Sequence, residues 1–291
     1  MINKKSKNVG WHRVLLFVLP YFFIVGLFQY IGILIAGIDL SQDYPEETAF
    51  QQLIISWFNL LGTFLVIWIF VEYVEKQKFI QLGFHIKNRI KDIFVGIILG
   101  ALIMGAGYLL LYFWGEIQFK RVLLNYTDLT LIILHFFIVA LVEEVLFRGY
   151  ILRNLMISFN KYIALFLSSC LFSLMHGFNP NISSFSLMGL FLAGMLLGAS
   201  YIFTKNLWFP IALHFSWNLF QSLLGFNVSG QDSYSIVEHQ IREANLFNGG
   251  AFGFEGSYLS IVVQLVLIFG IIYYYNRKKT KHYKGNRCTS H

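Results

Sequence analysis

Charged residues are scarce in this chain: lysine, arginine, aspartate and glutamate make up 13% of its 291 residues. Soluble domains carry roughly twice that share, so the composition excludes a soluble globular protein. Hydrophobic residues account for 57% of the chain, and the mean hydropathy is +0.62. The sequence therefore predicts an all-α, polytopic membrane protein.

Cysteine is almost absent as well. Cys170 lies inside an apolar run and Cys288 lies in a basic tail, so the two have no reason to pair and a disulfide framework is excluded. The net charge is +7, but the excess basic residues flank apolar runs, where they set topology and face anionic lipid. A lipid bilayer, and not a nucleic acid, is the expected partner.

About eight apolar segments are long enough to cross the hydrocarbon core of a bilayer, which takes roughly 20 residues. They lie near residues 14–36, 53–73, 92–114, 130–152, 161–177, 185–204, 207–224 and 257–276. No repeat, low-complexity segment or soluble second domain interrupts them, so residues 1–291 are predicted to form a single transmembrane bundle. The glycine-rich stretch at 249–256 is predicted to be a flexible entry into the last span. Nothing in the sequence indicates an oligomeric state.

Basic and acidic residues alternate between the loops. Those that follow the second, fourth, sixth and last spans are basic: Lys76, Lys78, Lys87, Arg89, Lys91, Arg153, Lys161, Lys205, Arg277, Lys278, Lys279, Lys281, Lys284 and Arg287. The first and seventh loops are acidic: Asp39, Asp43, Glu46, Glu47, Asp232, Glu238, Glu243 and Glu255. Only the third loop, with Lys120 and Arg121, blurs the pattern. The positive-inside rule places both termini in the cytoplasm.

Three of the apolar spans carry a pair of residues at a spacing of four, and each pair contains at least one polar residue. The pairs are Glu144 with Arg148, Phe172 with His176, and His214 with Asn218, and Glu143 directly precedes the first. An ionisable side chain in hydrocarbon costs at least a few kcal/mol, and several in one protein usually meet around a functional cavity. The sequence therefore predicts an intramembrane site.

Glu143 needs a partner on another helix. Glu144 and Arg148, four apart, share a helix face and can neutralise each other, whereas Glu143 points about 100° away from them. A turn at residues 158–160 would fold the fourth and fifth spans together. Glu143 and His176 lie almost equally far from that turn, so the hairpin places them at similar depth, 10–20 Å or so below the cytoplasmic surface.

The seventh span supplies a second pair of polar groups. His214 and Asn218 project from one side of their helix, and their distance from residues 205–206 gives them a comparable depth. Glycines on the third and sixth spans would let helices approach closely around a small cavity. They are Gly96, Gly100, Gly189, Gly194 and Gly198.

This set of groups suits hydrolysis of an amide. A carboxylate and a histidine can deprotonate a water, and a second histidine with an asparagine can donate hydrogen bonds to the oxyanion that forms. Ser173 and Cys170 have no evident orienting partner, so a covalent nucleophile is disfavoured. The expected partner is a peptide or protein substrate that reaches the site from the membrane or the cytoplasmic side.

The three motifs, in this order on successive apolar spans, resemble those of the CAAX-protease and bacteriocin-processing family of intramembrane endopeptidases, which includes the type II CAAX prenyl proteases. The resemblance covers residues 130–222. It implies a bundle of eight transmembrane helices with the site near the cytoplasmic side. By matching position it implies the following roles: Glu143 and His176 activate the water, His214 and Asn218 form the oxyanion hole, Glu144 and Arg148 support the site, and Phe172 packs beside it.

The resemblance leaves the biological role open. The eukaryotic branch trims prenylated C-termini, whereas bacterial relatives are linked to bacteriocin maturation and self-immunity; the composition is typical of a bacterial plasma-membrane protein. A metal-free glutamate protease without a cofactor is expected. The alternatives are a zinc protease that uses Glu143, His176 and His214, and a non-catalytic immunity or proton-coupled transport protein.

Overall fold

The computed structural model describes residues 9–39, 41 and 47–288, so the predicted loop residues Asp43 and Glu46 lie outside it. The described part contains eight helices, and the all-α prediction is confirmed. They are α1 (Val9–Ala36), α2 (Ala49–Ile69), α3 (Ile90–Phe113), α4 (Tyr126–Ser158), α5 (Lys161–Met175), α6 (Ser184–Thr204), α7 (Trp208–Leu223) and α8 (Tyr258–Cys288).

Six of these helices are long and apolar enough to cross a membrane, and the chain is a multi-pass membrane protein. The other two, α5 and α7, have 15 and 16 residues. They are shorter than the roughly 20 residues of a typical span. These two short helices carry His176, His214 and Asn218, so the polar residues lie on helices that do not cross the full hydrocarbon thickness by themselves.

The bundle has two ends of opposite charge. The basic end brings together the start of α1, the α2–α3 connection, the α4–α5 turn and the α6–α7 turn. Two hydrogen bonds join these segments: Trp11 N donates to Ser158 Oγ at 3.2 Å, and Asn206 Nδ2 donates to the His85 carbonyl at 2.7 Å. At the acidic end, the remaining connections meet, and Gln52 Nε2 donates to the Asp232 carbonyl at 2.8 Å. The predicted alternation of basic and acidic loops thus gives the bundle one basic end and one acidic end.

A small sheet at the acidic end joins two connections that the sequence indicated only as loops. Strand β1 (Ile117–Val122) pairs antiparallel with β2 (Val237–Ile241), with an irregularity between Phe119 and Arg121. Arg121 forms an ion pair with Glu238 across the two strands. This pairing accounts for one of the two basic residues that blurred the charge pattern of the third loop.

Small residues let the central helices approach closely. A Cβ on Gly96 of α3 would lie 2.8 Å from Ala212 Cβ on α7, and a Cβ on Gly194 of α6 would lie 2.9 Å from Ser169 Cα on α5. Real Cβ atoms do not come that close, so a larger residue at either position would push two helices apart. The predicted glycine contacts are therefore present in the bundle.

Helix α4 widens immediately after Glu144. Residues Val145–Leu152 form a π-helix and are all buried. Side chains donate to carbonyl groups of this stretch: Ser168 Oγ to Phe147 at 3.2 Å and Asn154 Nδ2 to Tyr150 at 3.0 Å. Side-chain donors that enter a helix ladder favour such irregularities, and π-helical turns are frequent at functional sites.

Candidate active site

A buried ion pair lies at the centre of the bundle. Arg148 Nη1 donates to Glu144 Oε1 at 2.8 Å, and the two side chains are only 2% and 0% exposed. Arg148 Nη2 also donates to the Gly194 carbonyl at 3.0 Å, and its guanidinium lies 4.7 Å from the centre of the Phe172 ring. The guanidinium thus has three partners, as a buried charge requires.

The same carboxylate oxygen also holds a histidine from another helix. His214 Nδ1 lies 2.9 Å from Glu144 Oε1. Because Glu144 is paired with an arginine, its ionised carboxylate can only accept, so Nδ1 of His214 is the donor. The Nε2 atom is then directed away from Glu144, and it carries a proton only in the imidazolium form.

His176 is oriented by the helix that it terminates. It caps the C-terminus of α5, and its Nδ1 lies 2.8 Å from the carbonyl oxygen of Phe172. A carbonyl oxygen can only accept, so this contact requires the proton on Nδ1. In the neutral ring, Nε2 is therefore an acceptor.

The carboxylate of Glu143 faces both histidines. Its Oε2 lies 3.8 Å from His176 Nε2 and 3.9 Å from His214 Nε2. Both distances exceed that of a direct hydrogen bond, and Oε2 has no hydrogen-bond partner among the described residues. Gaps of this length between polar groups commonly hold a bridging water.

These groups line a cavity of about 430 Å³. Glu143, Phe172, His176, His214 and Asn218 all contribute to its wall. Glu144 and Arg148 are not part of this wall; they lie behind it and reach the cavity through His214 and Phe172. The arrangement therefore places a carboxylate, two imidazole Nε2 atoms and a carboxamide around one space inside the bundle.

Another carboxylate, that of Glu255, lines the same cavity, and the sequence did not indicate it as a site residue. It lies in a short turn before α8, where its Oε2 accepts hydrogen bonds from Ser229 N at 3.1 Å and Ser229 Oγ at 2.8 Å. Burial raises the pKa of Glu255 above its ordinary value, and these hydrogen bonds, with the nearby His176 and His214, offset only part of that rise. Its only signal in the sequence is an acid within a glycine- and phenylalanine-rich segment.

The segment that holds Glu255 is ordered, in contrast to the flexible entry predicted for residues 249–256. It forms two short 3-10 turns, Gly250–Phe252 and Phe254–Gly256. Gly253 has a φ of +101°, and a Cβ there would collide with the Asn227 carbonyl oxygen. Glycine is needed here for close approach between two loops, because only glycine tolerates both that φ and that contact.

The cavity lies toward the acidic end of the bundle. His176 directly follows α5, which begins at the basic end. At about 1.5 Å per residue, the 15 residues of this helix place His176 about 22 Å from that end. Gln52, in the first turn of α2, and Asp232, in the α7–α8 connection, also line the cavity. The family resemblance implied a site near the cytoplasmic side; here Glu143 lies near the middle of α4, and the cavity extends from it toward the end opposite the basic loops.

Comparison with protein families identifies this part of the chain. Residues 125–220 match the family model described as type II CAAX prenyl endopeptidase Rce1-like. This segment is an Rce1-like domain. The Rce1-like domain contains all seven site residues that the sequence predicted, and Glu255 lies outside it. The match confirms the family resemblance and supports a CAAX-type intramembrane endopeptidase in general.

The other two comparisons add nothing to this assignment. No curated protein and no solved structure matched the chain. The roles of individual residues around the Rce1-like domain's cavity therefore depend on the geometry above.

Proposed function

We propose that the chain hydrolyses a peptide bond inside the membrane with a water activated by Glu143 and His176. The observation that carries this proposal is the position of Glu143 Oε2, 3.8 Å from His176 Nε2 and 3.9 Å from His214 Nε2. A water in this space can donate one hydrogen to the Glu143 carboxylate and the other to His176 Nε2. Its lone pair is then free to attack.

The reaction follows from these hydrogen bonds. The water oxygen attacks the carbonyl carbon of the peptide while its proton passes to Glu143. The carbonyl oxygen becomes an oxyanion that accepts from His214 Nε2–H and from the Asn218 amide. When the tetrahedral intermediate collapses, the C–N bond breaks and Glu143 returns its proton to the leaving amine.

Glu144 and Arg148 position His214 in this proposal. His214 must be an imidazolium to donate from Nε2, because its Nδ1 proton is already directed to Glu144. One carboxylate faces each of its ring nitrogens, an arrangement that favours the doubly protonated ring. Arg148 pairs with Glu144 and holds its carboxylate in position.

The deciding experiment compares the membrane peptidome of cells that express the wild-type protein with that of cells that express Glu143→Gln. Peptide termini that depend on the wild type define the cleavage site, and a quenched fluorescent peptide that spans it then serves as a reporter for purified protein. Glu143→Gln is expected to abolish its cleavage, and Glu243→Gln, an exposed acid outside the cavity, is the matched control. Equal cleavage by wild type and Glu143→Gln would refute the proposal.

A zinc mechanism is the alternative that the donor atoms themselves suggest. Glu143, His176 and His214 supply an oxygen and two nitrogens, as catalytic zinc sites do. Donors bound to one tetrahedral zinc at 2.0–2.1 Å lie about 3.3 Å apart, less than the 3.8 and 3.9 Å found here. Among the described residues, no group of three such side chains is arranged to hold a metal ion.

Metal dependence is decided with the reporter peptide. We propose a metal-free enzyme, so dialysis of the purified protein against a chelator is expected to leave turnover unchanged. Complete loss of cleavage that zinc alone restores would establish the metalloprotease instead. If Glu143→Gln leaves the membrane peptidome unchanged, an immunity or transport role without catalysis is the remaining alternative.

We propose a bacterial plasma membrane as the location, with both termini in the cytoplasm. The basis is the positive-inside rule applied to the two ends of the bundle. The family resemblance suggests two substrate classes, prenylated C-terminal peptides and bacteriocin-like peptides. The acidic side chains that line the cavity indicate the charge of the peptide that it would bind.

A further inference from the structure

Acidic side chains line both the inner and the outer part of the cavity. Its described lining contains four acidic residues, Glu47, Glu143, Asp232 and Glu255, and no lysine or arginine. Arg148 lies behind the wall in its pair with Glu144, and the cationic group that the proposed mechanism places in the wall is His214. A cavity with charge of one sign and low-dielectric walls attracts ligands of the opposite charge.

The outer part of the cavity presents groups that can receive a peptide. Glu47, just before α2, and Asp232, in the α7–α8 connection, are exposed. Gln52 is 8% exposed, and its Nε2 donates to the Asp232 carbonyl. The Gln52 Oε1 atom is buried and has no partner among the described residues. An unpaired buried acceptor is costly, and a backbone N–H of a bound peptide would satisfy it.

This outer part lies at the acidic end of the bundle. Lysines and arginines of the described connections concentrate at the other end, around Lys87, Arg153 and Lys205. By the positive-inside rule, the basic end faces the cytoplasm. The outer part of the cavity then faces the extracytoplasmic side.

We infer that the substrate is a positively charged peptide that enters from the extracytoplasmic side, with Glu47 and Asp232 contacting its cationic side chains and Gln52 accepting a backbone N–H. The inference rests on the proposed peptidase function and adds the substrate class and the direction of entry to it. Charges at the rim of a binding site act mainly on association, so they should govern KM more than kcat.

The charge of the substrate is tested with two reporter peptides that differ only in having lysine or glutamate on either side of the cleaved segment. Purified wild type is expected to show a KM about tenfold lower for the lysine peptide. Asp232→Lys and Glu47→Lys should remove this preference, with the change falling mainly on KM. Glu243→Lys changes the same charge in the same connection as Asp232 but outside the cavity, so it should keep the preference.

Salt gives an independent measure of the same attraction. Raising the ionic strength from about 0.1 M to about 1 M shortens the Debye length from about 10 Å to about 3 Å. The difference in KM between the two peptides should then largely disappear. Equal KM values at low salt, or a preference that Asp232→Lys does not alter, would overturn the inference about substrate charge.

The direction of entry is tested by cysteine labelling in intact cells. Cys170 and Cys288 are first replaced by serine. Gln231→Cys, exposed at the outer part of the cavity, and Lys87→Cys, exposed at the basic end, are then introduced separately. A membrane-impermeant maleimide should label Gln231→Cys in intact cells and Lys87→Cys only after permeabilisation. The opposite pattern would show entry from the cytoplasm.

Failure of this inference is distinguishable from failure of the proposed function. If Glu143→Gln cleaves the reporter as well as the wild type, the peptidase proposal is wrong. If Glu143→Gln is inactive but the two peptides have equal KM values, the peptidase proposal stands and the substrate class is wrong. If the maleimide labels the opposite cysteine in intact cells, the direction of entry is wrong.

Discussion

His214 Nδ1 lies 2.9 Å from Glu144 Oε1, so an imidazole on α7 is held by a carboxylate on α4. The same oxygen accepts from Arg148 at 2.8 Å. One buried carboxylate thus connects the helix that carries Glu143 with the helix that carries Asn218. The spacing of the candidate groups around the cavity depends on this contact.

Removal of one partner of the buried ion pair is expected to destabilise the protein. Arg148→Ala leaves the Glu144 carboxylate buried without its main partner, and such a change costs about 3–5 kcal/mol. The free energy of unfolding, measured by denaturant titration in detergent, should fall by this amount. Glu144→Gln should have a similar effect, because it leaves the guanidinium unpaired.

An exposed ion pair and a double variant serve as controls. Arg121 and Glu238 pair across the small sheet with side chains 63% and 43% exposed, so Arg121→Ala should cost about 1 kcal/mol or less. Glu144→Gln combined with Arg148→Met should cost less than the sum of the single variants, because neither charge is then buried alone. A simple sum would show that the pair does not act as a unit.

Loss of an oxyanion donor should lower turnover without weakening substrate binding. His214→Ala and Asn218→Ala are each expected to reduce kcat by about 100-fold. KM should change little, because these groups act on the transition state. Ser222, on the same helix but outside the cavity, offers a control, and Ser222→Ala should retain turnover. Near-wild-type kcat in Asn218→Ala would refute the oxyanion assignment.

The parts of the site that local geometry determines could be predicted from the sequence. Glu144 and Arg148 are four residues apart on one helix, so their pairing follows from the helical period. The approach of Glu143 to His176 follows from a tight hairpin, since α4 ends at Ser158 and α5 begins at Lys161. Asn160 caps α5 by accepting from two backbone amides, a standard helix-start signal.

Contacts between segments far apart in the chain could not be predicted in this way. The bond between Glu144 and His214 spans 70 residues, and no periodicity indicates which of two adjacent glutamates faces α7. The π-helix at Val145–Leu152 changes the direction in which the residues after it in α4 point. The sequence gives no warning of it, because no proline or run of glycines marks this stretch. Glu255 reaches the cavity only because the connections around Ser229 and Gly253 pack against each other.

Glu255→Gln should change the pH dependence of turnover. Glu255 lines the cavity beside His176 and His214, and its negative charge favours the protonated form of His214 that the oxyanion hole requires. The neutral amide is expected to lower kcat by about tenfold and to move the alkaline limb of the kcat profile to lower pH. Ser229→Ala, which removes one hydrogen bond to the carboxylate, should have a smaller effect in its own profile.

The comparison with Glu243→Gln separates this role from a general charge effect. Glu243 is exposed and lies outside the cavity, so its amide variant should keep the wild-type profile. A Glu255→Gln variant with lower kcat but an unshifted alkaline limb would indicate that Glu255 only supports the fold of its loop.

His239 in β2 should make the acidic end of the bundle sensitive to acid. Burial lowers its pKa below the ordinary value of 6.5, and a hydrogen bond with the Leu224 carbonyl partly opposes this. Above pH 6.5 the ring is neutral in both the folded and the unfolded chain. As the pH falls below that value, the unfolded chain takes up the proton first, so the free energy of unfolding decreases until the lower folded pKa is reached.

The measurement compares the loss of Tm between about pH 7.5 and about pH 5.5 in wild type and in His239→Gln. The wild type should lose more, because glutamine does not titrate. Phe226, whose ring centre lies 4.6 Å from that of His239, provides a control: Phe226→Leu disturbs the same contact but leaves the titrating group in place. It should lower Tm at both pH values and keep the acid sensitivity. Equal acid sensitivity in wild type and His239→Gln would assign the effect to other histidines.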